Sequence, residues 1–139
     1  MRVMVLIRAT AEAEAGVLPG ADLIAAMTAF NEDLAAAGVL VSGEGLKPTS
    51  HGARMRISGG GRSVERGPFP LEDGLVSGFW IWEVASLDDA IAWLMRCPQP
   101  MPGEALIEVR PLYEADDFGD EFTPDLRERE DVLRRRLDG

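Results

Sequence analysis

The chain has 139 residues, of which 46% are hydrophobic and 27% are charged, and 14 basic against 24 acidic side chains give a formal net charge of -10. A chain of this length can bury roughly two thirds of its unfolded surface, so it can fold as one domain without disulfides or a structural metal. The acid excess argues against binding to the nucleic-acid backbone or to anionic lipid, because both need clustered Lys and Arg. The apolar fraction argues against intrinsic disorder.

The start of the chain and its few soft metal ligands narrow the class further. No window reaches the run of about 18 apolar residues that a membrane span needs, and the opening segment is charged at Arg2 and Arg8, which favours a strand over a signal peptide. A single cysteine, Cys97, excludes an internal disulfide, and a single histidine, His51, leaves too few ligands for the usual zinc site. We therefore expect a cytoplasmic protein that binds neither nucleic acid nor membrane, and no cofactor is predicted.

The first half of the chain reads as strand, helix, strand. The apolar run Val3 to Ile7 predicts a strand buried on both faces. Residues 22 to 37 predict a helix closed by Gly38, whose apolar positions at helical spacing are Leu23, Met27, Phe30, Leu34 and Ala37. Val39 to Ser42 predicts a second strand, which Gly43 to Gly45 is expected to break with a turn or a bulge.

A charged hairpin and a proline loop follow. Residues 53 to 58 and 62 to 66 flank three glycines and predict two short strands, whose many charges suit a sheet edge or an arm. Gly59 to Gly61 lacks the lysine and the following helix of a phosphate loop, so a hairpin turn is favoured. The segment Gly67 to Pro70 is predicted to be a loop, because its prolines donate no amide hydrogen bonds.

The second half of the body repeats the strand, helix, strand order. Phe79 to Val84 predicts an aromatic strand, and Ser86 with Asp89 predicts the capped start of a helix that ends at Cys97 and Pro98. An extended proline-rich connection then leads to a last strand over residues 105 to 110. The resulting βαββαβ order predicts an α+β fold of ferredoxin-like type, with both helices on one face of an antiparallel sheet and the hairpin as an insertion.

The tail differs from the body in charge. Residues 1 to 113 hold 9 basic and 14 acidic side chains, whereas residues 114 to 139 hold 5 and 10, so each part has a net charge of -5. We therefore place a boundary after residue 113. Within the tail, residues 114 to 121 predict an acidic loop, and Thr123 with Pro124 predicts the start of a helix. Its apolar seam is narrow, so we expect an arm that docks on the body, docks on a partner subunit, or stays mobile.

Strand parity divides the predicted sheet into two faces, since alternate side chains point opposite ways. One face has no charge and should lie under the helices; its members are Val3, Val5, Ile7, Trp80, Trp82, Val84, Ile107 and Val109. The other, called the open face below, contains Met4, Leu6, Arg8, Leu40, Ser42, Glu44, Phe79, Ile81, Glu83, Leu106, Glu108 and Arg110. The two helices leave the open face uncovered, and its apolar patch predicts that a second copy of the chain covers it in a homodimer.

The charged end of the open face holds the candidate site. Arg8, Glu83, Glu108 and Arg110 would line a partly closed cavity between two sheets. Two interpretations remain open: the four pair with one another at the rim, or they form a site for a polar ligand or substrate. Glu83 and Glu108 could also hold a divalent cation, but neighbouring arginines favour ion pairs, and no metal site is predicted.

The remaining chemistry-bearing residues favour structural roles. As the only imidazole, His51 would be the natural general base near neutral pH, but no convincing orienting carboxylate lies near it in sequence, so a solvated loop histidine is favoured. Cys97 reads as a small buried side chain, since no Cys/His spacing supports a nucleophile. Trp80 and Trp82 share the charge-free face and Trp93 lies on the second helix, which favours core packing over stacking on bases.

Several segments together resemble the YCII-related family, also named for its DGPF motif. They are Arg66-Gly67-Pro68-Phe69, Gly78-Phe79-Trp80, Ser86 to Ala90, the opening MRVMVLIR, Ala37 to Leu40 with Gly43 to Leu46, and Ile107 to Leu112. The resemblance covers about residues 1 to 113 and implies a ferredoxin-like, dimeric α+β barrel. In some members a histidine near the first helix is paired with the motif aspartate; here Arg66 replaces that aspartate and the first helix has no histidine.

Three hypotheses about function follow. The first is a homodimeric protein that binds a small anionic ligand through Arg8, Glu44, Arg66, Phe69 and Arg110, because the arginine fork pairs with carboxylates. The second is an enzyme in which Glu83 or Glu108 moves a proton on a small organic acid, as a few members do in isomerisation or elimination. The third is a protein-interaction module acting through the acidic tail. The resemblance separately suggests a regulatory partner, since relatives of the longer DGPF group are often associated with alternative sigma factors.

Overall fold

The strands and helices follow the predicted order, with one short helix added near the start. The computed structural model describes all 139 residues. Its elements are β1 (Arg2–Arg8), α1 (Ala11–Glu14), α2 (Ala21–Ala36), β2 (Leu40–Gly45), β3 (Ala53–Ser58), β4 (Gly61–Arg66), β5 (Val76–Glu83), α3 (Leu87–Leu94), β6 (Ile107–Pro111) and α4 (Pro124–Asp138). Short 3-10 helices lie at Thr49–His51, Leu71–Asp73 and Ala115–Glu121. No helix has the length and apolar character needed to cross a membrane.

The sheet has the ferredoxin-like strand order that the sequence predicts. Four strands pair in the order β2-β5-β1-β6, and every neighbouring pair is antiparallel. Strands β3 and β4 form a separate two-stranded sheet, which is the predicted hairpin insertion. Every residue of that hairpin is exposed, so it projects from the body as an arm.

The charge-free face lies under α2 and α3, as strand parity predicts. Val3, Val5 and Trp82 of the sheet and Leu34 of α2 are 0% exposed. The ring of Phe30 packs edge-on against Trp80, Trp82 and Trp93 at centroid distances of 5.8, 6.2 and 6.3 Å. Burial of these aromatic and aliphatic side chains supplies most of the hydrophobic stabilisation of the domain.

The helix ends match their sequence signals, with one correction. The Ser86 hydroxyl accepts from the amide of Asp89 at 3.1 Å, and the Thr123 hydroxyl accepts from the amide of Leu126, so both predicted caps are present. Helix α3 ends at Leu94 instead of running to Cys97, since residues 95 to 97 turn away before Pro98. The ring of Pro98 disfavours a helical conformation at Cys97, the residue before it. The helix therefore ends before the apolar pattern that predicted its length does.

Strand β2 contradicts two expectations from the sequence. Gly43 to Gly45 does not break the strand, because Gly43 pairs with Trp80 and Gly45 with Gly78. The irregularity lies earlier, between Leu40 and Ser42, where an extra residue enters the strand. This bulge shifts the parity, so Leu40 packs against the core and is not part of the open face. A Cβ at Gly43 would lie 2.5 Å from Cδ1 of Trp80, which explains the glycine inside the strand.

Candidate functional site

The middle of the open face is a row of apolar side chains on the two central strands. Met4 lies opposite Ile81, and Leu6 lies opposite Phe79, in the pairing of β1 with β5. All four are partly buried by their neighbours, but neither α2 nor α3 reaches them. Leu106, just before β6, is 62% exposed on the same side. The single chain therefore presents an apolar surface that α2 and α3 do not cover.

Three charged side chains form one cluster beside this row. Arg8 donates from Nη1 to the carbonyl oxygen of Gly74 at 2.6 Å, and its Nη2 lies 3.5 Å from Oε1 of Glu108. Arg110 lies on the other side of Glu108, with Nε 3.8 Å from Oε2. Glu108 therefore lies between two arginines, and of the three side chains Arg110 is the most exposed, at 73%. These partly solvated pairs contribute little to stability, about 0 to 1 kcal/mol each.

A cleft of about 570 Å³ opens next to Arg8. Its walls come from the start of α1, the turn at residues 71 to 75 and the proline-rich connection before β6. Glu12 and Glu104 line the cleft together with Arg8, and Glu108 lies just beyond it. Three carboxylates thus lie in or beside the cleft with Arg8, and the most exposed cation of the cluster is Arg110.

The structure separates the two glutamates that the sequence could not rank. Glu83 lies opposite Arg2 at the far end of β5, and one of its oxygens lies 3.3 Å from the N-terminal ammonium. Glu108 lies opposite Leu6, four positions along β1 from Arg2, which corresponds to about 13 Å of strand. Glu44 shares the cross-strand row of Phe79, Leu6 and Glu108 but lies on the opposite edge strand, and it is exposed. Only Arg8, Glu108 and Arg110 are therefore brought together.

Arg66 and Phe69, the ends of the family-like motif, lie in different surroundings. Arg66 is the last residue of β4, lies opposite Ala53, and is exposed without an ion-pair partner. Phe69 is 9% exposed, and the guanidinium of Arg54 covers its ring at 3.8 Å from the centroid. Arg54 in turn binds Asp73 at 2.8 Å, one residue before the carbonyl that holds Arg8. Phe69 is therefore a packing residue of the loop, connected to the cleft through the turn at residues 71 to 75.

A set of hydrogen bonds between Glu14, Thr49 and Phe69, which the sequence did not predict, holds the loop that contains Phe69 in place. Thr49 donates from its amide and its hydroxyl to the two carboxylate oxygens of Glu14, at 3.0 and 2.6 Å, and its hydroxyl accepts from the amide of Phe69 at 2.9 Å. A Cβ at Gly67 would overlap the carbonyl of Thr49, so only glycine fits there. Glu14 and Thr49 lie 35 residues apart in sequence, and the only local signal for the contact was the glycine of the motif.

His51 and Cys97 lie outside the charged cluster. His51 is exposed in the 3-10 turn before β3, with no side-chain hydrogen bond. Cys97 packs against the core, and its burial raises the pKa of the thiol from the ordinary 9.0 to about 11, so it carries no thiolate at neutral pH. No three His, Cys, Asp or Glu side chains approach each other closely enough to hold a metal ion.

A second cavity, of about 840 Å³, lies at the opposite end of the sheet, between β1 and the C-terminal arm. Arg2 donates to both carboxylate oxygens of Glu114, at 3.1 and 3.2 Å. This hydrogen bond is the main cause that lowers the pKa of Glu114 below its ordinary value and raises that of Arg2. The pair ties the beginning of the arm to the first strand.

Comparison with known proteins agrees with the resemblance that the sequence carries. The family model of the YCII-related domain matches residues 1–116, which include the whole sheet and the motif at Arg66 to Phe69. The chain is also similar to an uncharacterised protein of Rhizobium meliloti (strain 1021), with 36% identity over 67 residues that cover 48% of this chain and 54% of that protein. It thus spans about half the length of the curated relative it matches.

Proposed function

The chain belongs to the YCII-related family, and on that premise we propose that it is a homodimer that binds a small anionic molecule between the open faces of two copies. The observation that carries this proposal is the open face itself. It is apolar along the central strands, is not covered by α2 or α3, and ends in the cluster of Arg8, Glu108 and Arg110. An apolar surface with a few convergent polar groups is the usual composition of a ligand site.

A second copy is the simplest cover for this surface. A two-fold axis places the same patch of both chains in contact, so one self-complementary sheet face is sufficient. Two sheets pack face to face about 10 Å apart with their side chains interdigitated, so a ligand would need the faces to diverge at the charged end. The charged cluster would then lie at the mouth of the enclosed space, where water is partly removed.

Arg110 is the best candidate to hold the anion. Arg8 already has two partners, the carbonyl of Gly74 and the carboxylate of Glu108, and Arg66, at the base of the hairpin, does not line the cleft. Arg110 shares Glu108 only through a 3.8 Å contact and is largely exposed. Its planar guanidinium can bind a carboxylate through two parallel hydrogen bonds.

The dimer is tested by placing a charge in the middle of the open face. Ile81→Asp should shift the protein from dimer to monomer in sedimentation velocity, because a carboxylate cannot be buried unpaired between two sheets. Ile24→Asp is the matched control, since Ile24 is an exposed isoleucine on α2, 53% accessible and away from the sheet. A folded Ile81→Asp protein that remains as dimeric as the control would contradict the proposal.

The ligand is tested with pairs of small carboxylates and their amides in a thermal-shift screen. A bound carboxylate should raise the melting temperature while its amide does not, and Arg110→Ala should abolish the shift. Arg110→Lys should retain only part of it, because a lysine lacks the planar fork. Arg129→Ala, at an exposed arginine of α4 without an ion pair, is the control. Equal shifts for carboxylates and amides, or equal shifts in Arg110→Ala, would rule out this ligand class.

The same cluster supports a second candidate, proton transfer by Glu108 on a small organic acid. Glu108 is the carboxylate that lies between two arginines, which could bind the substrate's own carboxylate next to it. Its present 39% exposure would fall when a second sheet covers the face. Deuterium incorporation into candidate acids, followed by NMR in heavy water, should be lost in Glu108→Gln and kept in Glu83→Gln; loss in neither or in both would count against it.

A further inference from the structure

Two exposed segments of the chain carry opposite charge. The hairpin of β3 and β4, residues 53 to 66, holds four arginines and one glutamate. Only Arg54 among these arginines has an ion-pair partner. Residues 113 to 125, called the acidic turn below, hold six acidic side chains and no lysine or arginine. A chain with a net charge of -10 thus concentrates unpaired positive charge on one projecting element.

The hairpin also has an uncovered apolar side. Met55 lies opposite Val64, and the two are 53% and 58% exposed; Ile57, on the same side, is 63% exposed. The register places Arg62 opposite Ile57 and Arg66 opposite Ala53, so two arginines frame this apolar strip. A two-stranded hairpin is at best marginally stable in water without a surface to pack on. A surface that packs on this strip should be apolar, to cover its side chains, and acidic, to pair with the two arginines.

The acidic turn has that composition. Tyr113 and Phe118 stack at 5.2 Å between ring centroids and are 74% and 53% exposed, and Phe122 packs against Phe118 at 5.8 Å. The carboxylates of Asp117, Asp120 and Glu121 lie close to these rings in sequence, are exposed and have no ion-pair partner, whereas Asp116 pairs with Arg127 at 3.1 Å. Exposed aromatic side chains next to carboxylates can contact an apolar strip and its flanking arginines at the same time.

Within one chain the two segments lie at opposite ends of the sheet. The base of the hairpin is tied to Asp73, next to the carbonyl that holds Arg8, whereas the acidic turn begins at Glu114, which binds Arg2. Arg2 and Arg8 are the two ends of β1, and six steps of strand correspond to about 20 Å. No hydrogen bond or ion pair joins the hairpin to the turn.

We propose that the basic hairpin of one copy docks on the acidic turn of a second copy. A two-fold axis that reverses the strand direction brings the hairpin end of each sheet to the arm end of the other, and generates two equivalent contacts. The inference shares the second copy with the proposed function, but it rests on different residues. It also gives Arg66 a role at the subunit contact instead of in the ligand site.

Reversal of charge on each side tests the proposal. The first variant is Arg62→Glu with Arg66→Glu, and the second is Asp120→Arg with Glu121→Arg. Each alone places like charges in both contacts of the dimer, so its dissociation constant at low salt should rise about tenfold or more. In a 1:1 mixture, the mixed dimer restores opposite charges at one contact and keeps the native pair at the other. Its dissociation constant should return close to that of the unchanged protein.

Controls separate this inference from a general charge effect and from the sheet contact. Arg129→Glu with Arg136→Glu makes the same charge change at two exposed arginines of α4 outside both segments, and should leave dimerisation unchanged. A dimer that Ile81→Asp disrupts but that hairpin reversal leaves intact would overturn this inference while keeping the proposed function. Dimers that weaken with either reversal but do not recover on mixing would overturn it as well, since docking within one chain behaves that way.

A direct measurement locates the contact. Arg62→Lys introduces an amine on the apolar side of the hairpin, which a carbodiimide can join to a carboxylate of the acidic turn only when the two touch. In a mixture of ¹⁵N-labelled and unlabelled protein, mass spectrometry should find crosslinked peptides that combine the two isotopes, joining residue 62 to residues 116 to 125. Crosslinks of a single isotope only, or none to this segment, would overturn the proposal.

Discussion

The two faces of the same four-stranded sheet differ completely in what covers them. Val3, Val5 and Trp82 point to the helices and are 0% exposed, whereas their neighbours along the same strands, Met4 and Ile81, point away and are covered only by the side chains around them. The backbone is shared, so the difference comes from side-chain alternation alone. One face holds the domain together, and the other is not covered by α2 or α3.

The largest expected effect comes from truncation on the helix-covered face. Trp82→Ala should destabilise the domain by about 3–5 kcal/mol, because it leaves a cavity in a core that cannot collapse around it. Phe79→Ala, three residues earlier on β5 and on the open face, should cost less than half of that in the monomer. Urea unfolding at dilute concentration measures both. Equal losses at the two positions would show that the open face is buried by the chain itself.

Thiol reactivity gives a second comparison of the helix-covered side of the sheet with the open face. The pKa of about 11 predicts that Cys97 reacts with an aromatic disulfide at pH 8 on the order of 100-fold more slowly than an exposed thiol, with a rate that rises until near pH 11. Ser42→Cys in a Cys97→Ser background gives the open-face control, since Ser42 is exposed. It should react rapidly in the monomer. Fast labelling of Cys97 at pH 8 would contradict its burial.

Two glycines of β2 provide a smaller and more local test. Gly43→Ala should destabilise the domain by about 1–3 kcal/mol, because the new Cβ would lie 2.5 Å from Cδ1 of Trp80 and push that ring into the core. Gly45→Ala meets nothing within 4 Å and should be neutral or slightly stabilising. Denaturant midpoints of the two variants give the comparison, and similar midpoints would disprove the close approach at Gly43.

The smallest effect concerns the pair that ties the acidic turn to the sheet. The pKa of Glu114 lies below its ordinary 4.5, so the contribution of the pair is present above pH 4.5 and is lost as pH falls through the lower value. Amide exchange of residues 113 to 122 should stay constant from pH 7 to about pH 5, after correction for intrinsic rates, and increase below 4.5. Arg2→Ala should remove this pH dependence, and Arg129→Ala should preserve it.

Much of the architecture could be predicted because it depends on local patterns. The parity of Val3, Val5 and Trp82, the hydroxyl caps at Ser86 and Thr123, and the alternating order of elements follow from side-chain spacing and backbone hydrogen bonding. The bulge in β2 could not be predicted in this way, since nothing in Leu40-Val41-Ser42 marks an extra residue. Its position is decided by the pairing of β2 with β5 and by the fit of Gly43 against Trp80.

The candidate site was predicted in part for the same reason. Arg8, Glu108 and Arg110 come together because they share a face on the neighbouring strands β1 and β6. Glu83 is on the same face, but the register of β1 with β5 places it opposite Arg2, at the other end of the sheet. The register between strands that are distant in sequence cannot be deduced from the sequence of either strand alone. The contact of Glu14 with Thr49 depends on how two loops meet in space, which spacing in the sequence does not encode.

The base of the hairpin is closed by one backbone hydrogen bond and held to the body by Arg54. The amide of Gly67 donates to the carbonyl of Gly52 at 3.0 Å, so the chain leaves and re-enters the domain at nearly the same point. Excision of all fourteen residues would leave the four strands of the main sheet in place, but it would remove Arg54 from the ring of Phe69 and from Asp73. Exchange or lengthening of the segment is therefore expected to be tolerated best between residues 55 and 65, where the closure at Gly52 and Gly67 and the anchor at Arg54 are both kept.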